Sequence, residues 1–531
     1  MALNEDAIYA SLSEIRYTVS MTRQEVLQAA KPHYSKEQLT ELEHAINVAT
    51  KAHDGQKRKS GEPYIIHPLA VAKTLINWEM DIDSVLAGVL HDTVEDTDLT
   101  LEAIETDFGG DVAFLVDGVT KVGQARSGMK NLDNYTEQTK DNLSKLLIAV
   151  GKDVRVLIIK IADRIHNLST LEHMPKEKQV KIARESLEVF APMADRLGMG
   201  GPRMQIEELA FRYVDQKAFN RTQNEMKKRL GKSTRKLGKI RVQVEKRLAE
   251  EGIAAEVNGR VKSVFSLWRK LQRIDGTIDD IYDLMALRVI VENQEDCYRV
   301  LGILHGMYQP MIERIKDYIA VPKTNGYQSL HTTVLTPNEQ IVEFQIRSRK
   351  MHEYAEGGLA ASFHYHEQKS SESYIKGRQM EKLPSQLQWI TQLQEIAGRI
   401  RSGDDIPREQ LNVDLFSRRM FVYSPKGDIY NLPYGALPLD FAYLVHSDIA
   451  KMAGGFKVNG KIHPFDKPLK NGDIVEVQTR KISQVKKSWL EHVKTSHAKS
   501  KLRAQLRGLG LLEGITNAAA IIREKAKRKR K

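Results

Sequence analysis

The segment VLAGVLHDTVEDTD sets the hardest condition on any fold of this chain. Apolar residues from Val85 to Leu90 run directly into His91, Asp92, Glu95 and Asp96. At helical spacing His91 lies over Glu95, and Asp92 over Asp96. Four such groups at the end of an apolar helix carry a high desolvation cost unless partners meet them. Two other segments offer partners. VRVLIIKIADRIHNL buries Asp163 and Asn167 four apart on one helix face, and KRKSGEPYIIHP brings Arg58, Lys59 and His67 on a loop running into a proline. Two histidines and two aspartates (His67, His91, Asp92, Asp163) form a mixed nitrogen and oxygen set suited to Mn²⁺, Zn²⁺ or Fe. A bound divalent ion lowers the pKa of its water and makes a nucleophile at neutral pH. Glu95 and Asp96 are then the carboxylates that position or deprotonate that water. A lone buried histidine is more often a satisfied core residue than a ligand, and the chain has 16 histidines. A second His-Asp pair, His53-Asp54, precedes Gly55 with no partners nearby and reads as a helix end. The combination of His-Asp, a following Glu-Asp, an upstream His and a downstream buried Asp favours a metal.

Residues 1 to about 200 read as helices, followed by a helical connector from about Pro202 to Glu250. The texture then changes. Met285, Leu287, Val289 and Val291 alternate as a strand does, as do Val342, Phe344 and Ile346. In GRVKSVFSLWRKL, Val264, Leu267, Trp268 and Leu271 pack inward, while Lys262, Ser266 and Lys270 fall four apart on another face. With Arg260 just before, this row of cations beside a helix N-terminus suits phosphates. It is not a Walker A loop. Downstream, RIKDYIAVPKTNGYQSLHTTV packs Arg314, Lys316, Lys323, Asn325, Tyr327 and His331 together. On the strand IVEFQIR, Glu343, Gln345 and Arg347 share one face, which suggests a site floor. Asp283 is a second carboxylate able to share Mg²⁺ with Glu343, and Glu343 is placed to act as a base towards a hydroxyl. The alternative is a half-solvated sheet edge guarded by Lys and Arg.

A polar stretch and the helical LPSQLQWITQLQEIAGRI lead to a third region of short strands with turn signals SPKGD, LPYGA, VNGK and KNGD, about 413–480. The chain carries a net charge of +12, and from Lys481 to Lys531 there are 15 basic and 3 acidic residues, so the remainder is balanced. The basic pI therefore belongs to one end. A tail ending KAKRKRK fits contact with a polyanion, RNA above all, or else a solvated end. One cysteine, Cys297, excludes a disulfide framework and any multi-cysteine zinc module. Without a membrane-length apolar run or a signal-peptide start, the chain reads as cytoplasmic.

The segments RKSGEPYIIHP, LHDTVEDTDLT, KIADRIHNLSTL, KDYIAVPKTNGYQSLHTTV and MFVYSPKGDIYNLP with DFAYLVH together resemble the long RelA/SpoT homologues. These are stringent-response enzymes that make and destroy the alarmone ppGpp. The resemblance implies a multidomain chain. An all-α HD-type hydrolase domain over 1–200 and a connector over 201–234 precede an α+β nucleotidyltransferase-like synthetase domain over 235–370. A helical linker over 371–412, a β-grasp TGS domain over 413–480 and a basic helical tail over 481–531 follow. It implies Mn²⁺ on His67, His91, Asp92 and Asp163, with Glu95 and Asp96 assisting the attacking water. Arg58, Lys59, Asn167 and Thr170 match alarmone contacts. In the synthetase, Arg260, Lys262, Ser266 and Lys270 match contacts to ATP phosphates, with Arg288 in the same cation set. Asp283 and Glu343 match the Mg²⁺ carboxylates, and Tyr327 matches the residue that stacks on the guanine of GDP or GTP. Lys316, Lys323, Asn325, His331 and Gln345 line that cleft. His446 matches a contact to the 3′ end of uncharged tRNA, the alternative being a surface loop residue, and the basic charge of the tail suits an added contact to ribosomal RNA.

The basic RIKD resembles the bifunctional version of the family. Ser263, Ser362 and Phe363 depart from the family pattern, and the chain ends in a basic tail where long members continue into further modules, including an ACT domain. The rival reading is a ribosome- or tRNA-associated sensor with a degenerate synthetase.

Overall fold

The computed structural model describes residues 21–120, 145–274, 278, 281, 284–323, 325–337, 339–358, 360 and 419–508. Asp283, Ser362, Phe363, the helix expected over LPSQLQWITQLQEIAGRI and the KAKRKRK terminus lie outside them. Two compact units divide the chain at residues 402 and 403. No helix of the described residues is long and apolar enough to cross a membrane.

The first unit opens as helices. Those that carry the site are α1 (Lys36–Ala52), α2 (Ile66–Asn77), α3 (Ile82–Leu90), the single turn α4 (Thr93–Asp96), α5 (Gly110–Val119) and α6 (Arg155–Ser169). Every residue of α3 except Asp83 is buried, because α1, α2, α5 and α6 all pack around it. Gly88 lets α2 come close, since a Cβ there would stand 2.5 Å from Leu75 Cδ1. The N-terminus of α3 is capped by Asp81, whose carboxylate accepts from Ser84 N and also receives buried Arg155 at 2.8 Å. That ion pair latches the start of α3 to the start of α6. Removing one partner of such a buried pair leaves the other charge stranded.

Two helices, α7 (Gly200–Val214) and α8 (Gln216–Glu250), lead into the sheet part of the same unit. There β1 (Ala255–Val261), α9 (Val264–Ile274), β2 (Met285–Val291), α10 (Gln294–Met307), β3 (Gln309–Pro310), β4 (Lys316–Asp317), β5 (Leu330–Leu335), β6 (Ile341–Ser348) and α11 (Arg349–Gly357) follow in order. The strands run β1-β2-β6-β5-β3, with β4 also paired to β5. Only the central β2–β6 pair is parallel, with Arg288 opposite Gln345. Leu287, Val289, Val342, Phe344 and Ile346 face an apolar core shared with α8, α9 and α10. The expected inward face of α9 holds, with Phe265 added to it.

The second unit matches the turn signals. A hairpin of β7 (Arg419–Tyr423) and β8 (Ile429–Pro433) accompanies α12 (Pro438–Val445) and a sheet ordered β10-β9-β11, formed by Lys461–His463, Ala453–Val458 and Val475–Thr479. In VNGK, Asn459 and Gly460 both take positive φ, 50° and 78°, and join β9 to β10 in a two-residue turn. That geometry matches the right-handed strand twist. Buried Asp440 on α12 accepts from the amides of Lys494 and Thr495 and so anchors the basic helix α13 (Ser496–Gly508).

One carboxylate in the first unit has an unusual load. Glu208 on α7 is buried, accepts from Phe265 N at the start of α9, and has no hydrogen-bond partner for its other oxygen. Burial pushes its carboxyl up to about 7, against the pull of the Phe265 amide and Arg212. A carboxyl whose folded pKa is raised favours folding only while protonated. Its contribution therefore fades as pH rises from 4.5 towards 7. We expect Glu208→Gln to melt several degrees above the parent at pH 8, on the order of 3 kcal/mol at most. The gap closes below pH 5, as scanning fluorimetry of both proteins across that range will show.

Candidate metal centre and nucleotide cleft

His67 sits in the first turn of α2, not on a loop, and the following Pro68 is tolerated there because first-turn amides lack helical partners. His91 is the C-cap of α3, and Asp92 is the N-cap of α4. The helix therefore breaks between the apolar run and Glu95 and Asp96, and α4 restarts after Asp92. Asp163 lies in the middle of α6. These three places converge. His67 Nε2 lies 3.2 Å from His91 Nε2, 3.3 Å from Asp163 Oδ1 and 3.4 Å from Asp92 Oδ2. His91 Nε2 lies 3.2 Å from Asp92 Oδ1. His67, His91 and Asp163 each offer a ligand atom within 4.8 Å of the others, and all three are buried.

A divalent ion held at ~2.1 Å by each donor sets neighbouring donors roughly 3.0–3.4 Å apart. Four of the donor pairs have that spacing, and His91 Nε2 stands 3.9 Å from Asp163 Oδ1. The donor set fits a divalent metal.

The electrostatics agree. Burial pushes the Asp163 carboxyl up, but Lys160, His67 and His91 outweigh it and hold the group well below the usual carboxylate range. Asp92 is held low in the same way by His91 and His67. Burial lowers His67, while at His91 the two aspartates overcome burial and raise it.

Around this cluster lie residues that the sequence singles out and two that it does not, Tyr64 and His166. Arg58 is half-buried, with Nη1 3.0 Å from His166 Nδ1 and Nη2 2.9 Å from Asn167 Oδ1. Asn167 in turn donates to Asp163 Oδ1. Thr170 caps the end of α6, and Lys59 is exposed in the turn beside Arg58. Glu95 is half-buried on α4 and Asp96 is exposed. Tyr64 was missed: its hydroxyl lies 2.9 Å from Asp92 Oδ2 and 2.7 Å from Asp96 Oδ2. His166 was missed too, although it stands three residues after Asp163 on the same helix face. His53 was read as a partnerless helix end. It does cap α1, but it is buried, stacks on Tyr64 at 4.6 Å and meets Gln56 Oε1 at 2.9 Å. Gln56 donates to the Asp96 carbonyl.

On the sheet, the polar face of β6 is a connected floor. Arg260 donates to Gln345 Oε1 at 2.6 Å, and Gln345 donates to Glu343 Oε1 at 2.9 Å. His331 Nδ1 lies 3.4 Å from the same Glu343 oxygen, and its Nε2 meets the Tyr327 hydroxyl at 2.8 Å. Burial keeps His331 low despite Glu343, so it is neutral at pH 7. The Lys323 ammonium sits 4.5 Å from the Tyr327 ring centroid and 4.6 Å from that of Tyr318. Lys316 pairs with His331 across β4 and β5. Arg288 reaches Glu356 at 3.2 Å, as does fully buried Arg347 at 3.4 Å. Asn325 donates to Asp195 at the end of the helical part, at 3.3 Å.

Ser266 and Lys270 are half-buried along α9, whereas Lys262, expected on the same helix face, is half-buried in the link before it, its amide donating to the Leu284 carbonyl at 3.0 Å. The first amides of α9, expected to cradle phosphates, are occupied: Phe265 N goes to Glu208 and Ser266 N to Ser263 Oγ at 3.2 Å. In the second unit His446 joins two helices as an exposed cap, and its Nδ1 accepts from Asp448 N at 3.2 Å.

Chelator-treated protein should take up one Mn²⁺ per chain at the His67–His91–Asp92–Asp163 cluster. Asp163→Ala is expected to weaken that uptake by tenfold or more, read by titration calorimetry.

Residues 45–200 match an HD domain, residues 259–370 the region found in RelA / SpoT proteins, and residues 420–479 a TGS domain. An HD domain over a buried His-His-Asp group implies a divalent metal. The chain is 42% identical over 462 residues to the GTP pyrophosphokinase of Myxococcus xanthus, covering 87% of this chain and 60% of that protein. It is 39% identical over 489 residues to the guanosine-3′,5′-bis(diphosphate) 3′-pyrophosphohydrolase of Aquifex aeolicus, covering 91% and 67%. A Vibrio cholerae protein of the latter name is 38% identical over 490 residues, covering 92% and 67%. The chain thus spans between 60% and 67% of the length of these relatives. With three domain matches in this order and relatives of this identity along nearly its whole length, the chain belongs to the long RelA/SpoT homologue family.

Proposed function

We propose that this chain hydrolyses the 3′-diphosphate of ppGpp and pppGpp to GDP or GTP and pyrophosphate. We propose further that it makes the same nucleotides by transferring pyrophosphate from ATP to the 3′-hydroxyl of GDP or GTP. The observation that carries the first activity is the convergence of His67, His91, Asp92 and Asp163 on one point. The names of the relatives in Myxococcus and Aquifex support both activities. Hydrolysis belongs to residues 1–200 and synthesis to residues 235–370, joined by 201–234. A linker over 371–412, the TGS region over 413–480 and a basic tail over 481–531 complete the organisation.

In the helical site those four residues hold Mn²⁺, which when bound acts as a Lewis acid and makes water a better nucleophile. Glu95 and Asp96 orient the attacking water and take its proton, and Tyr64 holds Asp96 against Asp92. Arg58, Lys59, Asn167 and Thr170 bind the nucleotide. Water attacks the phosphorus next to the ribose and the bond from that phosphorus to the ribose 3′-oxygen breaks; the oxygen keeps the electron pair and takes up a proton as the 3′-hydroxyl of GDP or GTP, and the attacked phosphorus departs within pyrophosphate.

In the sheet site Glu343 draws the proton from the 3′-hydroxyl, and with Asp283 it would hold Mg²⁺, which would supply positive charge to the phosphates. The oxygen attacks the β-phosphorus of ATP and AMP leaves. The Tyr327 ring stacks on guanine, and Lys316, Lys323, Asn325, His331 and Gln345 line the cleft around it. Arg260, Lys262, Ser266, Lys270 and Arg288 stabilise the spreading negative charge, which is most of the catalysis in this class of transfer. Since Glu208 and Ser263 occupy the first amides of α9, that stabilisation falls to side chains. His446 and the basic tail contact uncharged tRNA and the ribosome, and the protein works in the cytoplasm.

Two chromatographic assays test the proposal, one with ppGpp and Mn²⁺, the other with ATP, GDP and Mg²⁺. We expect product in both. His91→Ala should lose at least about 10²-fold in the first alone, and Glu343→Gln a similar factor in the second alone. Product only in the first would reduce the chain to a hydrolase, and product in neither would make it a binding protein.

A further inference from the structure

His67 and His91 are held from behind in different ways. His91 Nδ1 lies 2.8 Å from the Gly88 carbonyl. A carbonyl can only accept, so His91 carries its proton on Nδ1 and offers Nε2 to the cluster, the usual arrangement for a ligating histidine. Among the described residues no carbonyl or carboxylate stands behind His67. Its Nδ1 lies 2.8 Å from Nδ1 of buried His166.

Which ring donates follows from two independent constraints. His67 Nε2 faces His91, Asp92 and Asp163, so a lone pair there requires the proton on Nδ1. That proton points at His166 Nδ1, which must accept it. Arg58 Nη1 lies 3.0 Å from the same His166 nitrogen, and a guanidinium only donates. Both neighbours therefore demand a bare Nδ1 on His166, whose single lone pair they share, and place its proton on Nε2. A carboxylate in that place would add a further negative charge to a cluster that already holds two. A neutral imidazole orients the ligand without doing so.

The neighbouring residue completes a clamp. Arg58 Nη2 donates to Asn167 Oδ1 at 2.9 Å, and Asn167 donates to Asp163. One guanidinium thus spans two adjacent residues of α6, and each of these holds a different member of the cluster. Arg58 reaches His67 through His166, and Asp163 through Asn167.

We infer that His166 is a positioning residue of the metal centre: a neutral acceptor that fixes the Nδ1–H form of His67 and ties that ligand to Arg58. The inference rests on the metal reading of the cluster.

The test uses the full chain, stripped with chelator, as the parent, His166→Leu and His166→Gln. Mn²⁺ affinity is read from the paramagnetic resonance of the free ion. Leu removes the acceptor, and the affinity should fall about 10–100-fold. Gln restores an acceptor oxygen and should recover most of that loss. Independently, ¹⁵N-histidine spectra of the Zn²⁺-loaded parent should show His67 protonated on Nδ1 and His166 on Nε2. Equal Mn²⁺ affinity in the parent and the Leu variant overturns the inference, as does a Gln variant no better than Leu. A His67 proton on Nε2 overturns it even if the Leu variant fails to fold. A parent that binds no Mn²⁺ would instead sink the metal reading itself.

Discussion

Buried charge must be answered by charge, and the helical part of this chain is arranged around that requirement. Helix α3 is apolar along its buried length apart from Ser84 and ends on an imidazole and a carboxylate. Taken singly, each would be expelled from such a core or neutralised there. Together with His67 and Asp163 they answer one another, and the surrounding helices hold their registers accordingly. The Asp81–Arg155 pair fixes α3 against α6 at one end, and the His-Asp cluster does so at the other. Gly88 allows α2 close enough for His67 to join. Two polar latches and one missing side chain therefore set the geometry of an otherwise slippery apolar bundle.

The sheet part solves a different problem. Its apolar face is buried in the ordinary way, by helices α8, α9 and α10. Its other face is polar and also largely covered, so its hydrogen-bonding groups satisfy each other in a chain from Arg260 through Gln345, Glu343 and His331 to Tyr327. Such a connected network keeps its members in fixed rotamers, because moving one strands the next. The Glu343 carboxylate sits in the middle of this chain, with its rotamer held before any ligand arrives.

Much of this was legible along the chain, for reasons that can be named. Periodicity exposed α3, α6, β2 and β6, since each buries one face or both. Gly and Asn placed the turns of the second unit because positive φ restricts the residue choice. Spacing singled out the four members of the cluster, because charged residues inside apolar runs are costly and therefore conspicuous. Tyr64, His53 and His166 were not conspicuous. Aromatic and imidazole side chains are common in cores, and the role of these three depends on contacts across the chain, such as that between His166 and Arg58, which no local pattern encodes. His166 alone left a trace, its helical spacing from Asp163. The break between α3 and α4 was invisible for a related reason: His91 and Asp92 leave the helix to reach partners far along the chain. The occupied start of α9 was hidden likewise, because its cap, Glu208, comes from a helix more than fifty residues earlier.

That cap has a consequence for how the edge of the sheet meets polyanions. Lysine and arginine heads reaching into solvent are blunted strongly, over a Debye length of about 8 Å at physiological ionic strength. With Glu208 and Ser263 holding the amides, the groups left to meet an anion at this edge are side chains, Arg260, Lys262, Ser266, Lys270 and Arg288 among them. Any pull that these charges exert on an anion weakens as dissolved ions accumulate.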